Sequence, residues 1–134
     1  MTSTTAGPVN PYLPNWEYVP DSEPRLFGDR LYAFGSHDRF RGLNFCVNDY
    51  VVWSTSRDDL SAWMCHGVAY RREQDPLNRS GKRPLFAPDV VQGGDGRFYL
   101  YYGMGQFPAI GVAVAAVPEG PYEFLGHVTH RGGQ

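Results

Sequence analysis

The sequence predicts an all-β chain built from two repeated, blade-like units, and three observations carry that expectation. Aromatic residues make up 15% of the 134 residues, with 9 Tyr and 8 Phe beside 16 Gly and 11 Pro, a mixture suited to short strands joined by tight turns. Strand-like segments rich in Val, Tyr and Trp recur along the chain, and nothing in it keeps a sustained helical period. The two halves also resemble each other.

In chain order, "RLYAFGS" (30–36) and "DYVVWSTS" (49–56) read as strands, and "RDDLSAWMCHGVAY" turns at 57–59 into another. The polar segment 71–84, "RREQDPLNRSGKRP", is punctuated by Pro76, Gly81 and Pro84 and reads as a connecting loop. The second unit offers "LFAPDVVQG" (85–93), "RFYLYYG" (97–103), "IGVAVAAV" (110–117) and "YEFLGHV" (122–128). Its "GGDG" (93–96) lacks the helix and lysine of a phosphate loop and reads as a hairpin turn. The chain thus forms one segment, 1–134, with unit one over 10–70, the loop over 71–84 and unit two over 85–128.

"DRLYAFGS" from Asp29 aligns with "GRFYLYYG" from Gly96, and "WMCHGV" from Trp63 aligns with "YEFLGHV" from Tyr122, matching Gly67 to Gly126. About four strands per repeat at a period of roughly 60 residues is the pattern of a β-propeller blade, whose innermost strands converge on a central axis. Asp21 precedes Arg30 by nine residues and Asp89 precedes Arg97 by eight, so each unit sets an aspartate at the start of its first strand. A carboxylate among apolar strand residues is costly unless it is paired, hydrogen-bonded or used. Either both aspartates cap turns, or both point into one axial pocket.

Composition narrows the partners. Twelve basic and 14 acidic residues leave a net charge of -2, which gives no basic face for nucleic acid. No apolar run approaches the length of a membrane helix, and the start of the chain has no signal-peptide pattern, so a cytoplasmic protein without a membrane partner is expected. Cys46 and Cys65 lack metal or redox spacing and read as packing residues, and the four His show no ligand pattern. His66, Trp53 and Trp63 read as blade packing, while His127 and His130 receive no role.

"NPYLPNWEYVPDSEPRLFGDRLYAFGSHD", "VVWSTSRDDLSAWMCHGV" and "PLFAPDVVQGGDGRFYLYYGMG" resemble the first two blades of glycoside hydrolase family 43, five-bladed propellers that include β-xylosidases and α-L-arabinofuranosidases. The resemblance runs from about Asn10 to Val128 and implies an inverting glycosidase acting on xylo- or arabino-oligosaccharides. It places Asp21 as general base, with Glu23 of "DSEP" as its competitor, and Asp89 as the carboxylate that tunes and orients the acid. Such chemistry needs carboxylates whose pKa values are pushed apart, with base and acid roughly 6.5–9.5 Å apart to admit a water. His37, Asp38 and Phe86 are implied to lie near the sugar, and Trp16 and Phe45 sit in loops able to overhang the axis.

The family's general acid arrives in a later blade, and neither Glu119 nor Glu123 occupies a matching context. The resemblance therefore reads these residues as an N-terminal part whose site is completed elsewhere, by a homo-oligomer or by a partner supplying the missing blades. The other reading is a carbohydrate-binding or self-assembling propeller module without catalysis. No cofactor is expected, although some relatives hold calcium at the axis.

Overall fold

The structure is a computed structural model that describes residues 10–128. It contains two four-stranded antiparallel meanders. The first runs β1 (Glu23–Phe27), β2 (Arg30–Phe34), β3 (Tyr50–Ser56) and β4 (Asp59–Tyr70). The second runs β5 (Leu85–Gln92), β6 (Phe98–Met104), β7 (Phe107–Ala115) and β8 (Glu123–Val128). Between them, residues 71–84 carry two short 3₁₀ turns, Arg72–Gln74 and Pro76–Asn78. His130 lies outside the described residues.

The β-rich reading and the two blades are borne out, and the local chemistry explains the boundaries. "GGDG" closes the β5–β6 hairpin, with the Gly93 N–H donating to Arg97 O at 2.8 Å and the Gly96 N–H to Gly93 O at 3.0 Å. The Asp95 carboxylate accepts from Arg97 N, Arg97 Nε and the Tyr99 hydroxyl, and these bonds hold its pKa down at about 2. Gly67 and Gly126, matched in the repeat, both stand where the outer strand slips in register against its neighbour.

The sheets pack face to face around Tyr32, Phe34, Tyr50, Val52 and Tyr70 from the first and Val90, Leu100, Tyr102 and Ala113 from the second. The repeat aligns Tyr32 and Phe34 with Tyr99 and Tyr101, yet the second sheet sends the alternate residues, Phe98, Leu100 and Tyr102, into this core. The reason lies in blade stacking. Two like sheets stacked the same way round present opposite faces to each other, so equivalent residues point in one common direction.

Two outward faces result. On the first sheet, Ala33, Val51 and Trp53 are buried beneath Leu13, Val19 and Trp63. On the second, Val91 is 50% exposed, Tyr101 38% and Ile110 45%.

The linker is held by a polar network that the sequence reading missed. Asp75 is fully buried and caps the second 3₁₀ turn through the Leu77 N–H at 2.9 Å. Its carboxylate also accepts from the Tyr102 hydroxyl at 2.6 Å and contacts His127 Nε2 at 2.9 and 3.1 Å. The Tyr70 hydroxyl joins Tyr102 at 2.7 Å, and burial pushes the pKa of both phenols well up. His127, assigned no role from sequence, therefore ties β8 to the linker. A second correction concerns the cysteines: Cys46 is buried, but Cys65 is exposed because β4 is the edge strand of its sheet.

Candidate active site

The first strand of each sheet forms that sheet's edge, and β1 and β5 lie beside each other. Between them opens a pocket of about 510 Å³ lined by Asp21, Ser22, Glu23, Arg25, Ala87, Pro88 and Asp89. The positions of the two aspartates differ from expectation. β1 begins at Glu23, so Asp21 precedes the strand, at φ 53°, a left-handed conformation that Asp tolerates better than most residues. Asp89 lies inside β5 rather than at its head. The ladder slips between Phe86 and Asp89, where Pro88 has no N–H to donate, and such a bulge re-aims the side chains beside it.

Asp89 is paired. Arg25 Nε donates to Oδ1 at 2.8 Å and Nη2 donates to Oδ2 at 2.6 Å, a two-pronged bond from the first sheet to the second. Oδ1 also accepts from the Val90 N–H at 2.8 Å. A guanidinium matched to both carboxylate oxygens fixes the plane of the carboxylate as well as its charge. Arg25 is the site residue that sequence reasoning missed. The signal was present, since a carboxylate in a strand needs a partner and Arg25 is the one cation within β1. Among the described residues no side-chain hydrogen bond engages the Asp21 carboxylate, which leaves it open to the pocket.

Phe86 lies next along β5. Its ring is 41% exposed and lines an adjoining hollow of about 480 Å³ with Ser80, Lys82, Arg83, Pro84, Gly105 and Gln106.

The structure does not bring the other named residues to the axial pocket. His37 bonds through Nδ1 to Asp49 O at 3.1 Å and through Nε2 to Glu17 Oε1 at 2.7 Å, while Glu17 Oε2 accepts from Trp53 Nε1. Asp38 Oδ1 accepts from the Cys46 N–H at 2.6 Å. Both side chains thus brace the loop between β2 and β3. Trp16 packs on Trp53 with ring centroids 5.9 Å apart, and Phe45 is exposed in that same loop. His66 sits against Ser54 Oγ at 2.6 Å, and burial lowers its pKa.

The donor set does not fit a hard cation such as calcium. Among the described residues no group of three or more His, Cys, Asp or Glu side chains could hold a metal ion, and Arg25 occupies both oxygens of Asp89. No helix among them is long and apolar enough to cross a membrane.

The fold defines a domain of two propeller-type blades with a carboxylate-lined pocket between their edge strands. No protein-family model matches the chain. A xylosidase/arabinosidase of Thermoclostridium stercorarium is 56% identical over 124 residues, covering 92% of this chain and 26% of its own length. Xylosidase/arabinosidase 43A of Humicola insolens is 36% identical over 121 residues, covering 78% of the chain and 34% of its own. The GH43_1 enzyme of Xanthomonas citri, solved with xylotriose, superposes with a TM-score of 0.71 at 28% identity, over 85% of this chain and 33% of that one. The chain belongs to glycoside hydrolase family 43, and it spans about a quarter to a third of the length of these relatives.

Proposed function

We propose that the chain supplies the general-base half of an inverting glycosidase that acts on xylose- or arabinose-containing oligosaccharides. Asp21 is the base: it must stay ionised to activate a water, and its carboxylate is free to do so. Asp89, clamped by Arg25, contributes position and a fixed negative edge. A guanidinium so close cancels most of its power to raise a neighbour's pKa, so its proposed tuning part narrows to orientation. The general acid comes from blades beyond these two.

One observation carries this reading. Asp21 and Asp89, from the corresponding edges of two repeated sheets, open into a single pocket beside an exposed aromatic ring. The relatives support the substrate class, since two of those above are named xylosidase/arabinosidases and the GH43_1 enzyme was solved with xylotriose.

The test is a chimera in which this chain replaces the matching segment of the Thermoclostridium stercorarium relative. Hydrolysis of nitrophenyl β-xyloside and α-arabinofuranoside is expected, and Asp21→Asn should lower it by about 10³-fold while xylotriose binding persists. A folded chimera that keeps its turnover with Asp21→Asn, but loses it with Glu23→Gln, overturns the assignment of the base. Sugar binding by a folded chimera without any turnover assigns the chain to a carbohydrate-binding module instead.

A further inference from the structure

We propose that the hollow beside the axial pocket is a subsite for an acid-bearing sugar, a uronic acid residue of the oligosaccharide, with Phe86 as its platform and Lys82 as the charge that reads its carboxylate. The proposal rests on the reading of the axial pocket as a sugar site.

Charge is distributed unevenly along β5. The axial pocket holds three carboxylates, Asp21, Glu23 and Asp89, against the single cation Arg25. The adjoining hollow reverses this: Lys82 and Arg83 line it, and no carboxylate does. In a chain of net charge -2, a carboxylate-free wall with two cations runs against the average. Across the bulge Phe86 and Asp89 stand about 7 Å apart along the ladder, so a chain of sugars with one unit at Asp89 extends naturally over the Phe86 ring.

The hollow is also built rigidly. Asn78 is buried and clamps the backbone of Arg83 from both sides, accepting from Arg83 N at 2.9 Å and donating to Arg83 O at 3.0 Å. Arg83 Nη1 is anchored by the carbonyls of Gly105 at 3.1 Å and Gln106 at 3.2 Å, so its charge stays at the wall while Nε and Nη2 keep their protons free to donate. Lys82 makes no ion pair among the described residues. Glu73 packs on Gly81 without reaching it. The half-exposed Phe86 ring offers an apolar face for sugar C–H groups, and the ammonium beside it offers a point charge for a carboxylate.

Calorimetric titration of the Asp21→Asn chimera with xylotriose, and with xylotriose bearing a glucuronic acid branch, tests this. The acidic sugar should bind about fivefold tighter at low salt, as a partly solvated ion pair worth about 1 kcal/mol requires, and added salt should erase the difference. Lys82→Gln should remove the preference while leaving the neutral affinity unchanged, and Lys82→Arg should keep it. Equal affinity for the two sugars, or a preference that survives Lys82→Gln, overturns the subsite and leaves the glycosidase reading standing. Binding of the acidic sugar alone, lost in Lys82→Gln, supports the subsite and counts against the axial pocket as a sugar site. Failure of both sugars to bind overturns both.

Discussion

Replacing Asp75 by alanine removes the acceptor that holds the linker to both sheets. The carboxylate is fully buried and takes the Tyr102 hydroxyl, His127 Nε2 and the Leu77 N–H. A buried donor left without its acceptor costs about 1–3 kcal/mol, and the Tyr102 hydroxyl has no route to water. The Leu77 N–H and the partly exposed His127 re-solvate more easily and add about 1 kcal/mol each. The loss therefore comes to about 3–5 kcal/mol. With a urea slope of about 1.5 kcal/mol per molar, the unfolding midpoint falls by about 2–3 M. Tryptophan fluorescence during urea unfolding reads this, and Tyr102→Phe should cost less in the Asp75→Ala background than alone. A loss below about 1 kcal/mol, or strict additivity of the pair, refutes the network as a support of the fold.

The remaining predictions concern the core, the site and one turn. A Cβ at Gly111 would fall on the ring of Tyr102, which Asp75 and Tyr70 pin in place, so Gly111→Ala should destabilise by about 3 kcal/mol in the same urea assay. In the chimera, Asp21→Asn should lower kcat by about 10³-fold, the usual contribution of a general base, with KM little changed. Arg25→Gln should lower kcat by about a hundredfold through misplacement of Asp89, and Arg25→Lys should not restore it, because an ammonium cannot match both oxygens. By carbon NMR, Asp95 should titrate near pH 2. Its folded pKa lies below the unfolded value of about 3.9, so its stabilisation is complete above that value and is lost as pH falls towards 2. An ordinary titration near 4 would refute the turn geometry.

Much of the architecture was legible because strand and turn signals are local. "GGDG", the Val- and Tyr-rich runs and the repeat of "DRLYAFGS" in "GRFYLYYG" each act over a few residues, and each lies where a hairpin or strand is found. The pairing of distant groups was not legible. Arg25 and Asp89 are 64 residues apart and meet only because two edge strands lie side by side. Asp75 reads as a loop residue before a proline, and nothing nearby in sequence announces Tyr102 or His127 as its partners. His37 and Asp38 show the opposite failure: "GSHD" suggests polar groups for a ligand, whereas the β2–β3 loop takes up their hydrogen bonds internally.

The unlike outer faces of the two sheets give the molecule a direction. Growth of a column by head-to-tail stacking needs an open face at both ends, and here the N-terminal segment roofs the first sheet over Ala33, Val51 and Trp53. The segment is in effect an end-stop. A following blade finds an open apolar face at Val91, Tyr101 and Ile110 of the second sheet, whereas a last blade closing the ring onto the first sheet meets the N-terminal segment.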